Sequence, residues 1–217
     1  RRRDVLGTGA EIVTTPVLYF APFHFDLDGG VQITGSHNPP EDNGFKILRG
    51  KTTIYGEEIQ TLRRLMEAGD FVSGKGTYEE RDVVRPYIEH AKTCLSFGSR
   101  RPKVVVDAGN GVGGFVAVPL YRELGFDVTP LYCEMDGRFP NHHPDPTVEA
   151  NVAELKATLT ANQAEVGIAL DGDADRIGVV DAKGRIVWGD QLMILFARAI
   201  LLEKPGATFV SEVKCSQ

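Results

Sequence analysis

From Val104 onward, short apolar runs alternate with helical stripes, and that alternation limits the possible fold more than any other feature of the chain. Val104-Val105-Val106 reads as a buried-type strand, Gly113 to Leu124 as a helix and Val128 to Tyr132 as a second strand. Val148, Val152, Leu155 and Leu159 recur at helical spacing, and Val166 to Leu170 is a third strand. Ile177 to Val180 and Ile186 to Trp188 read as a hairpin joined at Lys183-Gly184, with a helix over Asp190 to Leu202 and a strand over Thr208 to Val213 after it. Alternating elements of this kind predict an α/β layer structure around a largely parallel sheet.

The chain before Val104 is more broken. A Thr-Pro break followed by an apolar run over Val13 to Ala21 predicts a helix capped by Thr15, with Pro16 in its first turn. Val31 to Thr34 is β-prone and runs into Thr34-Gly35-Ser36-His37-Asn38-Pro39-Pro40, where Gly35 frees the backbone and the two prolines deny it a helix or a ladder donor. Ser36 is thereby presented at a strand's end. Asn43 to Leu48 reads as a turn entering a second strand, a hairpin that would return Lys46 to the side of Ser36. Ile59, Leu62, Leu65 and Met66 mark an amphipathic helix, Gly74 to Arg85 a connection, and Pro86 to Leu95 a further helix. The polar, glycine- and proline-bearing stretch Phe97 to Pro102 is the expected linker. The predicted domains are therefore 1–97, with the serine loop; 98–203; and 204–217, the start of a third. The sequence begins without methionine, which suggests a fragment.

Two further motifs bear on chemistry. Asp171-Gly172-Asp173-Ala174-Asp175-Arg176 follows an apolar strand, and its three carboxylates can converge on one point, where they repel unless a cation neutralises them. Oxygen donors without histidine or thiolate favour Mg²⁺ or Ca²⁺ over zinc. An EF-hand loop does not fit, because Arg176 and Ala182 stand where it needs glycine and a bidentate glutamate. Gly109, Gly111 and Gly114 spell G-x-G-x-x-G between a strand and a helix, with Glu134 beyond them, as in a dinucleotide site. Against that reading, Asp107 sets a carboxylate at the loop mouth, so the glycines are read instead as a tight strand-to-helix turn. The rigid Asn141 to Pro146 loop, with adjacent His142 and His143, is assigned a structural or cleft-lining role.

A formal net charge of −6 argues against a general nucleic-acid or anionic-membrane binder. Cys94, Cys133 and Cys215 are odd in number and lack metal spacing, so free thiols in a reducing cytoplasm are expected. No apolar run is long enough to span a bilayer.

Taken together, T-G-S-H-N-P-P, N-G-F-K, V-V-V-D-A-G-N-G, F-P-N-H-H-P-D-P, D-G-D-A-D-R and V-K-C-S resemble, in order, the α-D-phosphohexomutase family, in its phosphomannomutase/phosphoglucomutase branch. The resemblance implies two layered α/β domains with mixed, largely parallel sheets, the first two of that family's four. It implies a phosphoserine at Ser36; Mg²⁺ held by Asp171, Asp173, Asp175 and Ser36; His37, Lys46 and Arg176 beside the reacting groups; and Lys214 on the substrate. The implied reaction interconverts hexose 1-phosphate and 6-phosphate, of mannose, glucose or both, through a bisphosphorylated sugar, with glucose 1,6-bisphosphate or its mannose equivalent as activator. It further implies a monomer or weak dimer, an unpaired sheet edge in the first domain, and little or no turnover by these residues alone. Alternatives are phosphoglucosamine mutase within the family, an NAD-dependent oxidoreductase using the 109–114 glycines, and a non-catalytic remnant that binds a sugar phosphate or a partner.

Overall fold

The computed structural model describes residues 5–9, 12–39, 41–213 and 215. Its second half is a five-stranded sheet in the order β10-β9-β8-β6-β7, formed by β6 (Lys103–Asp107), β7 (Asp127–Leu131), β8 (Val166–Leu170), β9 (Ile177–Asp181) and β10 (Ile186–Val187). β6 pairs in parallel with β7 and β8, whereas β9 and β10 run antiparallel, so the sheet is mixed. Side chains alternate across a strand, which explains the three consecutive valines. Val104 and Val106 enter one core with Val118 of α4 (Gly113–Glu123), while Val105 enters the other with Leu155 and Leu159 of α5 (Ala153–Ala161). Leu155 and Val105 are fully buried, and each such side chain contributes roughly 1.5–3 kcal/mol.

The first half contributes β1 (Val5–Gly9), α1 (Thr15–His24), β2 (Gly29–Thr34), β3 (Gly44–Arg49), β4 (Thr52–Thr53), α2 (Glu57–Ala68), β5 (Gly76–Glu80) and α3 (Val84–Cys94). The expected hairpin is present: β2 and β3 pair antiparallel with Gln32 opposite Lys46. Val17 of α1, Val83 and Ile88 at α3, and Val116 of α4 form one buried cluster, which joins the two halves. A long α6 (Gly189–Glu203) follows β10, and no helix among the described residues is long and apolar enough to cross a membrane.

Four local expectations are corrected. Gly76 to Glu80, taken for part of a charged connection, is a strand, held by a parallel ladder to β1 that no local pattern announces. Thr208 to Val213 forms no strand, because among the described residues it finds no ladder partner. The Phe97 to Pro102 stretch is tied to the second half: Phe97 packs edge-on against Phe126, and Arg101 lies over both rings and donates to the Leu124 carbonyl. Thr15 is the first helical residue and not the cap; Thr14 holds that position without a side-chain bond. The α2 stripe forms as expected, yet Ile59, Leu62, Leu65 and Met66 are all exposed and no residue of that helix is buried. β2 lies at the edge of its three-stranded sheet, with Val31 and Ile33 exposed.

Candidate active site

β6 and β8 are parallel neighbours, so the loops that leave their carboxyl ends, after Asp107 and after Leu170, emerge together. Such strand ends are where open α/β sheets place ligands. The Asp171 to Arg176 loop turns on Ala174, whose φ is +60°, and the Asp171 Oδ1 accepts the backbone N–H groups of Asp175 and Arg176, each at 3.0 Å. The other half of the molecule brings Ser36 to the same point.

Ser36 takes a left-handed φ of +53°, and its N–H donates to the Thr34 hydroxyl at 3.0 Å. Its own hydroxyl donates to Asp171 Oδ2 at 2.5 Å. His37 Nδ1 lies 3.1 Å from the Ser36 Oγ, while the Arg176 guanidinium donates to His37 Nε2 at 3.2 Å. The two loops also meet through backbone. A Cβ on Gly172 would lie 2.1 Å from the Ser36 carbonyl oxygen, so only glycine permits this contact.

The carboxylates lie in different surroundings. Asp171 and Asp173 are buried and Asp175 is exposed, and one oxygen from each lies within 4.8 Å of the others. Asp173 Oδ2 accepts from Lys46 at 2.7 Å, Thr15 at 2.8 Å and Thr34 at 2.9 Å, whereas its Oδ1 is buried without a partner. A buried, unpartnered carboxylate oxygen is costly, and it fits a hard cation held by oxygens alone. Burial pushes the Asp171 carboxyl above its ordinary range, against the bonds from Ser36 and the Arg176 backbone. Burial acts in the same direction on Asp173, but Lys46, Thr15 and Thr34 outweigh it and hold that carboxyl low. Burial also pulls the Lys46 ammonium down, and bonds to Asp173 and Asp175 reverse this to leave it raised. Its ammonium bonds Thr15, Asp173 and Asp175.

Ser36, His37, Lys46, Asp171, Asp173, Asp175 and Arg176 are thus brought together, while Lys214 lies outside the described residues. Thr15 and Thr34 were missed as site residues. Thr15 read as a cap, and the only signal for Thr34 was its place at the head of the serine motif. The 109–114 glycines serve packing. A Cβ on Gly111 would lie 2.6 Å from the Gly172 carbonyl oxygen, one on Gly114 would strike Cys133, and one on Gly109 would crowd His142 and Pro144. The buried Asp107 accepts the Gly109 N–H at 2.9 Å, and His142 Nε2 lies 3.1 Å from both of its oxygens. The histidine loop is thereby tied to the turn that leaves β6.

Fold and site define a two-part α/β protein whose functional groups come from loops of both halves, a hydroxyl from one facing a carboxylate triad from the other. Residues 3–73 match the profile of phosphoglucomutase/phosphomannomutase alpha/beta/alpha domain I, and residues 85–184 match that of domain II. A phosphomannomutase/phosphoglucomutase of Pseudomonas aeruginosa is 45% identical over 206 residues, which are 95% of this chain and 44% of that protein. A phosphoglucomutase of Neisseria gonorrhoeae is 46% identical, over 99% of this chain and 46% of that protein. The crystal structure of a phosphoglucomutase/phosphomannomutase family protein from Burkholderia thailandensis superimposes with a TM-score of 0.87 at 42% identity, covering 94% of this chain and 46% of that one. The chain belongs to the phosphoglucomutase/phosphomannomutase family, and it spans about half the length of the relatives it matches.

Proposed function

We propose that this chain carries the phosphoryl-transfer site of a phosphohexomutase that interconverts hexose 1-phosphate and hexose 6-phosphate, of mannose, glucose or both. The observation that carries the reading is the Ser36 hydroxyl, 2.5 Å from buried Asp171, in the cluster that leaves Asp173 Oδ1 unpartnered. Ser36 is the phosphoryl carrier. Its O–P bond breaks as a bond to a sugar hydroxyl forms; the resulting bisphosphorylated sugar then returns its other phosphoryl group to Ser36. Each transfer moves one proton between the sugar hydroxyl and the Ser36 oxygen, and His37, 3.1 Å from that oxygen, is placed to relay it. Arg176 and Lys46 are cations that offset charge on the moving group.

Asp171, Asp173, Asp175 and the Ser36 group would hold the metal, for which Mg²⁺ suits the all-oxygen donor set. Bound there, it would supply a Lewis-acid charge against the phosphoryl oxygens. Glucose 1,6-bisphosphate, or the mannose equivalent, would prime Ser36, and Lys214 would hold substrate. The domain limits proposed are 1–97, 98–203 and 204–217. The unpaired cysteines support a reducing, cytoplasmic setting. Turnover belongs to a protein of the relatives' length and is expected to be weak or absent in these residues alone. A coupled assay of the full-length gene product with mannose 1-phosphate and glucose 1-phosphate tests the reading: conversion of at least one to its 6-phosphate supports it, and no conversion of either with activator and Mg²⁺ present rejects it.

A further inference from the structure

We propose that Thr15 and Thr34 are positioning residues, which lock the Asp173 carboxylate so that a single oxygen, Oδ1, is left for the cation. The inference rests on the metal reading above and concerns groups to which that reading gives no role. Both hydroxyls come from the first half of the chain, 158 and 139 positions away from Asp173 in sequence. They reach it at 2.8 and 2.9 Å, and with Lys46 at 2.7 Å they give Oδ2 three donors. A carboxylate oxygen so loaded cannot exchange places with its twin without breaking all three bonds, so Oδ1 alone stays open.

The geometry around each threonine is specific to this task. Thr15 Oγ1 accepts from Lys46 at 3.1 Å while donating to Asp173; Gln32 Oε1, 3.2 Å away, is its other neighbour. Its backbone N–H, one of the orphan donors of a helix's first turn, bonds the Asp173 carbonyl at 2.9 Å. Thr34 shares a strand face with Gln32, which stands opposite Lys46 in the ladder, so the hairpin register itself aims these groups at one carboxylate. Its single hydroxyl also does two things at once: it accepts the Ser36 N–H at 3.0 Å and donates to Asp173. Nucleophile loop and metal carboxylate are thereby linked through one oxygen. Threonine suits the role because β-branching fixes χ1 and hence the direction of the hydroxyl.

Groups that orient metal ligands typically change metal affinity by about 10–100-fold when removed. Mg²⁺ alone, titrated calorimetrically into the unphosphorylated chain, is the test, with near-ultraviolet circular dichroism to confirm native packing. Thr15→Val and Thr34→Val, which keep shape and remove the hydroxyl, should each weaken Mg²⁺ by about tenfold or more. Thr15→Ser and Thr34→Ser should recover most of the affinity. The two positions lie on different elements, so whichever valine variant folds suffices, and the serine variants provide a second reading. Valine variants that bind Mg²⁺ as the parent does, or serine variants as weak as the valine ones, overturn the inference and leave the metal site standing. A parent chain that binds no Mg²⁺ rejects the site itself and this inference with it.

Discussion

The aspartate loop and the serine loop meet at one point but rest on very different supports. The aspartate loop leaves a central strand whose sheet is covered on both faces, with Val105, Val106, Leu155 and Leu159 nearly or fully inaccessible. The serine loop leaves an edge hairpin that keeps Val31, Ile33 and Phe45 more than 60% exposed. The difference teaches where precision comes from. The backbone of the aspartate loop is placed by packing, and the serine loop meets it through the Gly172 contact, the Ser36 bond to Asp171 and the Thr34 bond to Asp173. Mutual repulsion among three acids is held down by a rigid frame and Lys46, while Ser36 sits on the side with fewer buried side chains.

Removing the Ser36 hydroxyl should have the largest effect. Ser36→Ala is expected to reduce mutase activity of the full-length protein to background while its thermal unfolding stays within a few degrees of the parent; a collapsed melting curve would mean that the serine is structural. The next break falls on the packed side. Leu155→Ala should cost about 2–5 kcal/mol in denaturant unfolding, whereas Ile59→Ala, on the exposed α2 face, should cost under about 0.5 kcal/mol. Equal losses would erase the contrast between the halves.

Gly172→Ala attacks the seam itself. Its Cβ has no room beside the Ser36 carbonyl, so the loops must part, at about 1–3 kcal/mol and with weaker Mg²⁺ binding. The smallest effect is a pH dependence at the pair of Asp107 and His142. The Asp107 carboxylate raises the His142 pKa above its ordinary 6.5. The pair therefore stabilises fully below pH 6.5 and loses its contribution as the pH climbs through the raised folded value. His142→Gln should lower the melting temperature more at about pH 6 than at about pH 9, and a deficit that grows with pH would reverse the assignment.

Much of the packed half could be read from sequence, because its strands are dense apolar runs whose burial needs no distant partner to be recognised. Val104 to Val106 and Val166 to Leu170 fell where expected for that reason. The exposed half was less legible. Gly76 to Glu80 carries two glutamates and a glycine, and only its pairing with Val5 to Gly9 makes it a strand. Thr208 to Val213 has the opposite character, β-prone residues without a ladder. At the site, Ser36 stood out in a proline-stiffened loop at a strand's end, and the three aspartates as clustered charge directly after an apolar strand. Thr15 and Thr34 did not, since a hydroxyl's partner 139 or 158 positions away leaves no local trace. The G-x-G-x-x-G spelling was read as a tight strand-to-helix turn, and its glycines make room there for the Gly172 backbone and for Cys133.

The most direct test is mass spectrometry of the Ser36-containing peptide after the protein has been incubated with glucose 1,6-bisphosphate and Mg²⁺. A phosphate adduct on Ser36, absent from the Ser36→Ala protein, is the predicted result. A Ser36 peptide that stays unmodified under those conditions, or an adduct that persists on another residue when Ser36 is replaced, would contradict the account.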